Sequence, residues 1–191
     1  MVLCLLPVTA AATSGGTTSL PTVTLDVGAG NQVGPNNEYE IADDAIKILK
    51  DGVVYELTGT TDRPIWLWGA NRESESGTIY LRLNNAEING GIVVQNSPVK
   101  LVIEVVDGTT NAIASLNPND LTITGKGTLN ATKLCVQQKT SYMPSKLYIK
   151  DTTIVVNEPT SPKDSSEWNG ECVLDGSANV TYISNSDFSP L

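Results

Sequence analysis

With 191 residues, a net charge of −9 and no histidine, the chain has room for one domain of ordinary size and a surface that repels polyphosphate and anionic lipid heads. A Ser-His or Cys-His nucleophile pair and an imidazole metal cluster are excluded outright. The richness in Val, Ile, Thr, Asn and Gly, with a charged fraction of only 17%, favours strands and tight turns over long helices.

At the N-terminus the apolar run 2–8 is followed by Ala10, Ala11 and Ala12, small residues at the positions a signal peptidase prefers. Residues 1–12 are therefore expected to be the remnant of a secretory signal, although the basic start of such a signal is missing and a short apolar strand is the alternative. Cys4 would leave with it. Residues 13–40 are expected to be a flexible leader and the start of a cap, and residues 41–191 a single β domain. No other segment is long enough to span a bilayer.

Residues 45–57 suggest a strand, an Asp51-Gly52 turn and a second strand, a hairpin-like cap. Ile65-Trp66-Leu67-Trp68 follows, a short strand with alternating aliphatic and indole side chains. From there a strand opening recurs at 78–83, 99–105, 120–124, 146–150 and 179–183, separated by turn signals such as Asn89-Gly90, Asp107-Gly108 and Gly125-Lys126-Gly127. The early spacing of about 20 residues is too short for a strand-plus-helix unit and fits one rung of a parallel β-helix. The expected fold is all-β, a single-stranded right-handed parallel β-helix (solenoid) of about five to six rungs, with an N-terminal strand or hairpin cap.

Period-two alternation sorts side chains by face. The inward row is expected to be Leu81/Leu83, Leu101/Ile103, Leu121/Ile123, Leu147/Ile149 and Val180/Tyr182. A second strand per rung is expected at 65–68, 92–95, 134–137 and 172–174. The chain stops at Leu191 directly after a strand, without the polar cover usual for an exposed edge, so the β-helix is expected to continue or to be covered by another module.

The segments 54–60, 78–88, 91–113 and 120–131 resemble a clostridial family of secreted carbohydrate-binding β-helix domains. That resemblance implies a role at the cell surface, an association with calcium, and pectic or cellulosic polysaccharides as partners. It covers roughly residues 45–131 well and carries over core aliphatics and turn glycines, not binding positions. The phrase Thr122-Ile123-Thr124-Gly125-Lys126-Gly127-Thr128-Leu129 is similar also to a family of gut-bacterial surface repeats, which leaves the ligand open.

Candidate sites follow from the face assignment. If Ile65 and Leu67 point inward, Trp66 and Trp68 point outward about 7 Å apart, a spacing at which two indoles offer flat apolar faces to sugar rings; the alternatives are that the 71–76 loop folds over them or that they close the N-terminal cap. The insert 157–171 breaks the repeat and brings Trp168 as a third sugar-binding candidate, with Glu158, Asp164, Glu167 and Glu171 as candidate calcium ligands or, alternatively, a solvated acidic loop. Cys135 and Cys172, on the same strand of consecutive rungs, would lie about 4.8 Å apart, inside the range for a disulfide; the alternative is that the two side chains stack unbonded.

For an enzyme, the adjacent pair Asp43-Asp44 lies before the first complete rung, where cap or turn roles are usual. The outward Arg82 and Lys150 are about 14 Å apart and do not converge as a lyase base would need. The expected function is thus non-catalytic polysaccharide binding by a secreted or cell-surface β-helix, with calcium as the cofactor where the glycan is a polyuronate. A structural adhesin stalk and a truncated calcium-dependent polysaccharide lyase are the alternatives.

Overall fold

The computed structural model describes residues 20–68, 77–94, 99–117, 120–134, 146–157 and 171–182. Within them the chain is a parallel β-helix with three faces. The first face stacks β1 (Thr22–Asp26), the start of β5 (Val54–Thr61) and of β7 (Thr78–Ile88), then β9 (Lys100–Val105), β11 (Asp120–Gly125), β13 (Lys146–Lys150) and β15 (Glu171–Asp175), each parallel to the next. The second face continues from the ends of β5 and β7 through β10 (Thr110–Asn117) and β12 (Thr128–Leu134) to β14 (Thr153–Val156) and β16 (Asn179–Tyr182). The third face holds β4 (Ile46–Ile48), β6 (Ile65–Leu67) and β8 (Ile92–Val94), joined by the ends of β10 and β12.

The corner between the first and second faces explains much of the local sequence. It falls at Gly59, Asn85, Gly108, Gly125, Asp151 and Gly176, and every one of them has positive φ, from 55° for Asn85 and 58° for Asp151 to 105° for Gly125. Only residues without a Cβ, or with a short polar side chain that bonds locally, enter this left-handed region at low cost. At Gly125 the restriction is doubled, because a Cβ there would run into the Val105 carbonyl of the coil beneath.

Inside, like stacks on like. Leu101, Leu121 and Leu147 lie in one row; Leu81, Ile103, Ile123 and Ile149 lie in the next; Ile46, Ile65, Ile92, Leu116 and Leu134 line the third face. All are 2% exposed or less. A side chain buried this completely contributes about 1.5–3 kcal/mol, so the core is a column shared by all coils rather than a centre.

The structure revises four sequence expectations. The Leu101 row begins with Ile79, not Leu81, a slip of two residues that keeps every side chain on its face because the period is two. The β domain begins before residue 41, since β1 is already a strand of the first face and pairs with β5. Asp51-Gly52 does not close a hairpin: β4 and β5 lie on different faces, with Gly52 at φ 68° as a coil corner. Finally, 171–175 and not 179–183 follows β13 on the first face, while 179–182 pairs with β14 on the second.

The hairpin expected at the N-terminal end exists one step earlier. β2 (Gln32–Val33) and β3 (Tyr39–Ile41) run antiparallel, β3 runs antiparallel to β4, and a 3₁₀ turn at Pro35–Asn37 links β2 to β3. Two side chains from the coils fasten this cap. Arg63 donates to the carbonyls of Val27 at 2.8 Å, Ala29 at 2.7 Å and Ala42 at 3.3 Å. The Tyr55 hydroxyl lies 3.0 Å from the Glu38 carbonyl and 3.1 Å from that of Lys50, joining the cap to the first corner. Among the described residues no helix is long and apolar enough to cross a membrane.

Both fasteners are testable. Arg63→Ala strips a cation from three carbonyls, and urea unfolding is expected to show a loss of about 3 kcal/mol. Arg63→Lys is expected to recover only part of it, since an ammonium lacks the planar fork. Burial, reinforced by the Glu38 charge, pushes the Tyr55 phenol up to about 12 from 10.0. The folded state thus holds its proton when the unfolded state has lost it, so stability is complete below pH 10.0 and falls between there and about 12. Alkaline unfolding curves are expected to show this decline in the wild type and to lose it in Tyr55→Phe.

Candidate functional site

The indole expected to face outward does so. Ile65 and Leu67 are fully buried, while Trp66 between them is half-buried on the outer side of the third face, with Lys47 below it and Val93 above it in register. Trp68 extends the same strand, donating its backbone N–H to the Ile48 carbonyl at 3.0 Å, and is also half-buried. The two indoles therefore ride on a strand whose alternate residues are locked in the core. Lys47 is held aside by Glu40 at 3.2 Å. The 69–76 segment, Trp168, and the candidate calcium ligands Glu158, Asp164 and Glu167 lie outside the described residues. Glu171 is the first residue of β15, in register with Lys146. Among the described residues no group of three or more Asp, Glu or Cys is arranged to hold a metal ion.

Of the two cysteines expected to pair, Cys172 lies in β15 in register with Leu147 on the first face. Cys135 itself lies outside the described residues.

The carboxylate pair Asp43-Asp44 sits in the turn joining β3 to β4, and Asp43 accepts a bond from the Asn31 amide at 2.8 Å. Arg82 and Lys150 share an outward row of the first face, separated by Glu104 and Thr124. Arg82 is paired on both sides, with Glu104 at 3.3 Å and Glu56 at 3.8 Å, while Glu56 also accepts from Asn84 at 2.8 Å.

Two features escaped sequence reasoning. Tyr80, Val102, Thr122 and Tyr148 form the middle outward row of the first face, with both phenols half-buried. Alternation alone put them outside, and only the correct register shows them in line. The second feature is a polar corner at the last described coil. The Asp151 carboxylate accepts from the Ser177 amide at 2.9 Å and its hydroxyl at 3.2 Å, and these bonds hold Asp151 below the usual carboxylate range. Asp175 is held low in turn by the Tyr148 hydroxyl and the Gly176 amide, and the same bond raises the Tyr148 phenol.

Because both carboxyls are depressed in the folded state, their contribution is present above the ordinary value of 3.8 and lost as pH falls through their folded values. Hydrogen exchange is expected to show the Gly176 and Ser177 amides opening below that pH while β7 amides stay protected, with Asp151→Gly opening the Ser177 amide at neutral pH.

No family model, curated protein or solved structure matches the chain.

Proposed function

We propose that the protein is a non-catalytic polysaccharide-binding β-helix of a secreted or cell-surface bacterial system. The observation that carries this reading is Trp66, a half-exposed indole on an outward row whose flanking Ile65 and Leu67 are fully buried. A ring held in this way stacks on the C–H face of a pyranose without first being ordered. Trp68 extends the platform, and Trp168 is proposed as a third contact. The signal-like residues 1–12 and the resemblance of 45–131 to secreted carbohydrate-binding β-helices support the same location and role.

Charge divides the ligands. A chain of net charge −9 repels a polyuronate within a Debye length of about 8 Å, so a pectic ligand requires a bridging divalent cation, whereas a cellulosic one needs only the aromatics. Glu158, Asp164, Glu167 and Glu171 are the residues proposed for calcium. A structural stalk is the second reading, favoured by the ion pairs of Glu56, Arg82 and Glu104, which direct the charges of the first face at one another. Those pairs also count against a lyase, since Arg82 is engaged by two carboxylates and Lys150 stands three rows away.

A glycan array read with and without calcium separates these functions. The proposal expects retention on pectic or cellulosic glycans, calcium-dependent in the pectic case, and a loss of about tenfold or more in Trp66→Ala/Trp68→Ala. Unchanged affinity in that variant removes the indole platform. A blank array in both arms leaves the stalk, and absorbance from unsaturated uronate products would identify a lyase.

A further inference from the structure

Between two rows that carry charges, the first face has one row that carries none. Tyr80, Val102, Thr122 and Tyr148 follow one another in register over β7, β9, β11 and β13, which sets the two phenol rings three strand steps, about 14 Å, apart. All four side chains are half-buried. Val102 and Thr122 are shorter than the rings at either end, and β-branching makes them stiff, so a shallow recess with a firm floor lies between the tyrosines. The Tyr148 hydroxyl donates to the Asp175 carboxylate of the next strand, which fixes that ring. A ring ordered in advance loses little entropy when a ligand covers it.

The neighbours give the direction of a ligand. Laid along β13, it would meet Lys146 and Lys150 on either side of a single ring; laid across the strands, it meets two rings and two uncharged side chains. The row is one side chain wide, far less than the roughly 800 Å² that each partner of a stable protein complex buries, so a thin chain fits it and a protein surface does not. An extended β-1,4-linked pyranose chain advances by about one strand spacing, about 4.8 Å, per ring. A ring over Tyr80 therefore brings the third ring after it over Tyr148, and pyranose faces carry the C–H groups that phenols stack on.

The flanking rows select an uncharged chain. Arg82 is paired with Glu104 at 3.3 Å and Glu56 at 3.8 Å, Lys150 stands 4.0 Å from Asp175, and Lys100 faces Asp120 in register. These margins offer donors and acceptors side by side rather than a field of one sign, an arrangement that serves hydroxyl groups, which both donate and accept.

Resting on the glycan-binding reading, we propose that the Tyr80–Tyr148 row is a second glycan site, on a different face from Trp66, for an uncharged β-1,4-linked chain of at least four rings running along the stack.

The test follows backbone amides of the full-length Trp66→Ala/Trp68→Ala variant by NMR during separate additions of cellohexaose and xylohexaose. Shifts are expected at residues 80, 102, 122 and 148, with cellobiose, too short to reach both rings, about tenfold weaker or more. Adding Tyr80→Ala/Tyr148→Ala or Val102→Arg, which fills the recess and leaves both rings in place, is expected to abolish them. Tyr80→Phe keeps the ring and is expected to keep the shifts. Tetragalacturonate, with calcium chelated, is expected to leave the row unmoved. If a glycan array shows binding while neither hexasaccharide shifts this row, or if cellobiose or tetragalacturonate shifts it equally, the second site is overturned and the glycan-binding function stands. A blank array removes both.

Discussion

Vertical stacking at the strand spacing of about 4.8 Å is the constraint from which the rest of this molecule follows. Parallel strands in register place each side chain over its equivalent in the next coil, so whatever occupies a position must tolerate a neighbour at that distance above and below. Aliphatic side chains gain from this and form the Leu101–Leu121–Leu147 and Ile103–Ile123–Ile149 columns. Like charges lose, and the outward rows alternate in sign as Glu56–Arg82–Glu104, Lys100–Asp120 and Lys150–Asp175. The corners obey the same rule in backbone terms, with one left-handed residue per coil stacked at the first bend.

The same constraint decides how far a single sequence discloses such a fold. The strands at 78, 99, 120 and 146 are legible because alternation and aliphatic content coincide there, and the outward aim of Trp66 follows from Ile65 and Leu67 for the same reason. Register is harder. Alternation is blind to a slip of two, which is why Leu81 and Ile79 exchange places without any residue changing face. Glu171-Cys172-Val173-Leu174-Asp175 carries acids at both ends and a cysteine in register with Leu147, so it resembles its neighbours less than 179–183 does, although it is the strand that lies beside β13.

Turn chemistry is ambiguous in a related way. Asp-Gly closes a hairpin or turns a coil corner with the same preference for positive φ, and only the partner of the following strand tells the two apart. At Asp51-Gly52 the partner of β5 is β1, laid down some thirty residues earlier in the chain, a contact no local pattern announces. The candidate site divides along this line. The indole platform depends on local alternation and could be inferred; the tyrosine row and the Asp151–Ser177 corner depend on register and could not. In the insert after Asn157 the repeat is interrupted, so alternation gives no face for Glu158, Asp164, Glu167 or Trp168.

The first and last described coils of the stack differ in how their strands run. At the N-terminal end the chain reverses direction: β2, β3 and β4 pair antiparallel, Pro35 opens the connecting turn, and Arg63 binds carbonyls from two sides of the cap. Reversal breaks the parallel register, so a further coil cannot be added to the third face at that end. At β15 the parallel register is intact to its last residue, with the inward row exposed at Leu174 and the acids Glu171 and Asp175 at its ends. Trp66 faces sideways from the third face, away from this direction of stacking. Side faces and edge are thus different surfaces of one scaffold: the first presents half-buried rings on a rigid sheet, the second continues the stacking register that built the sheet.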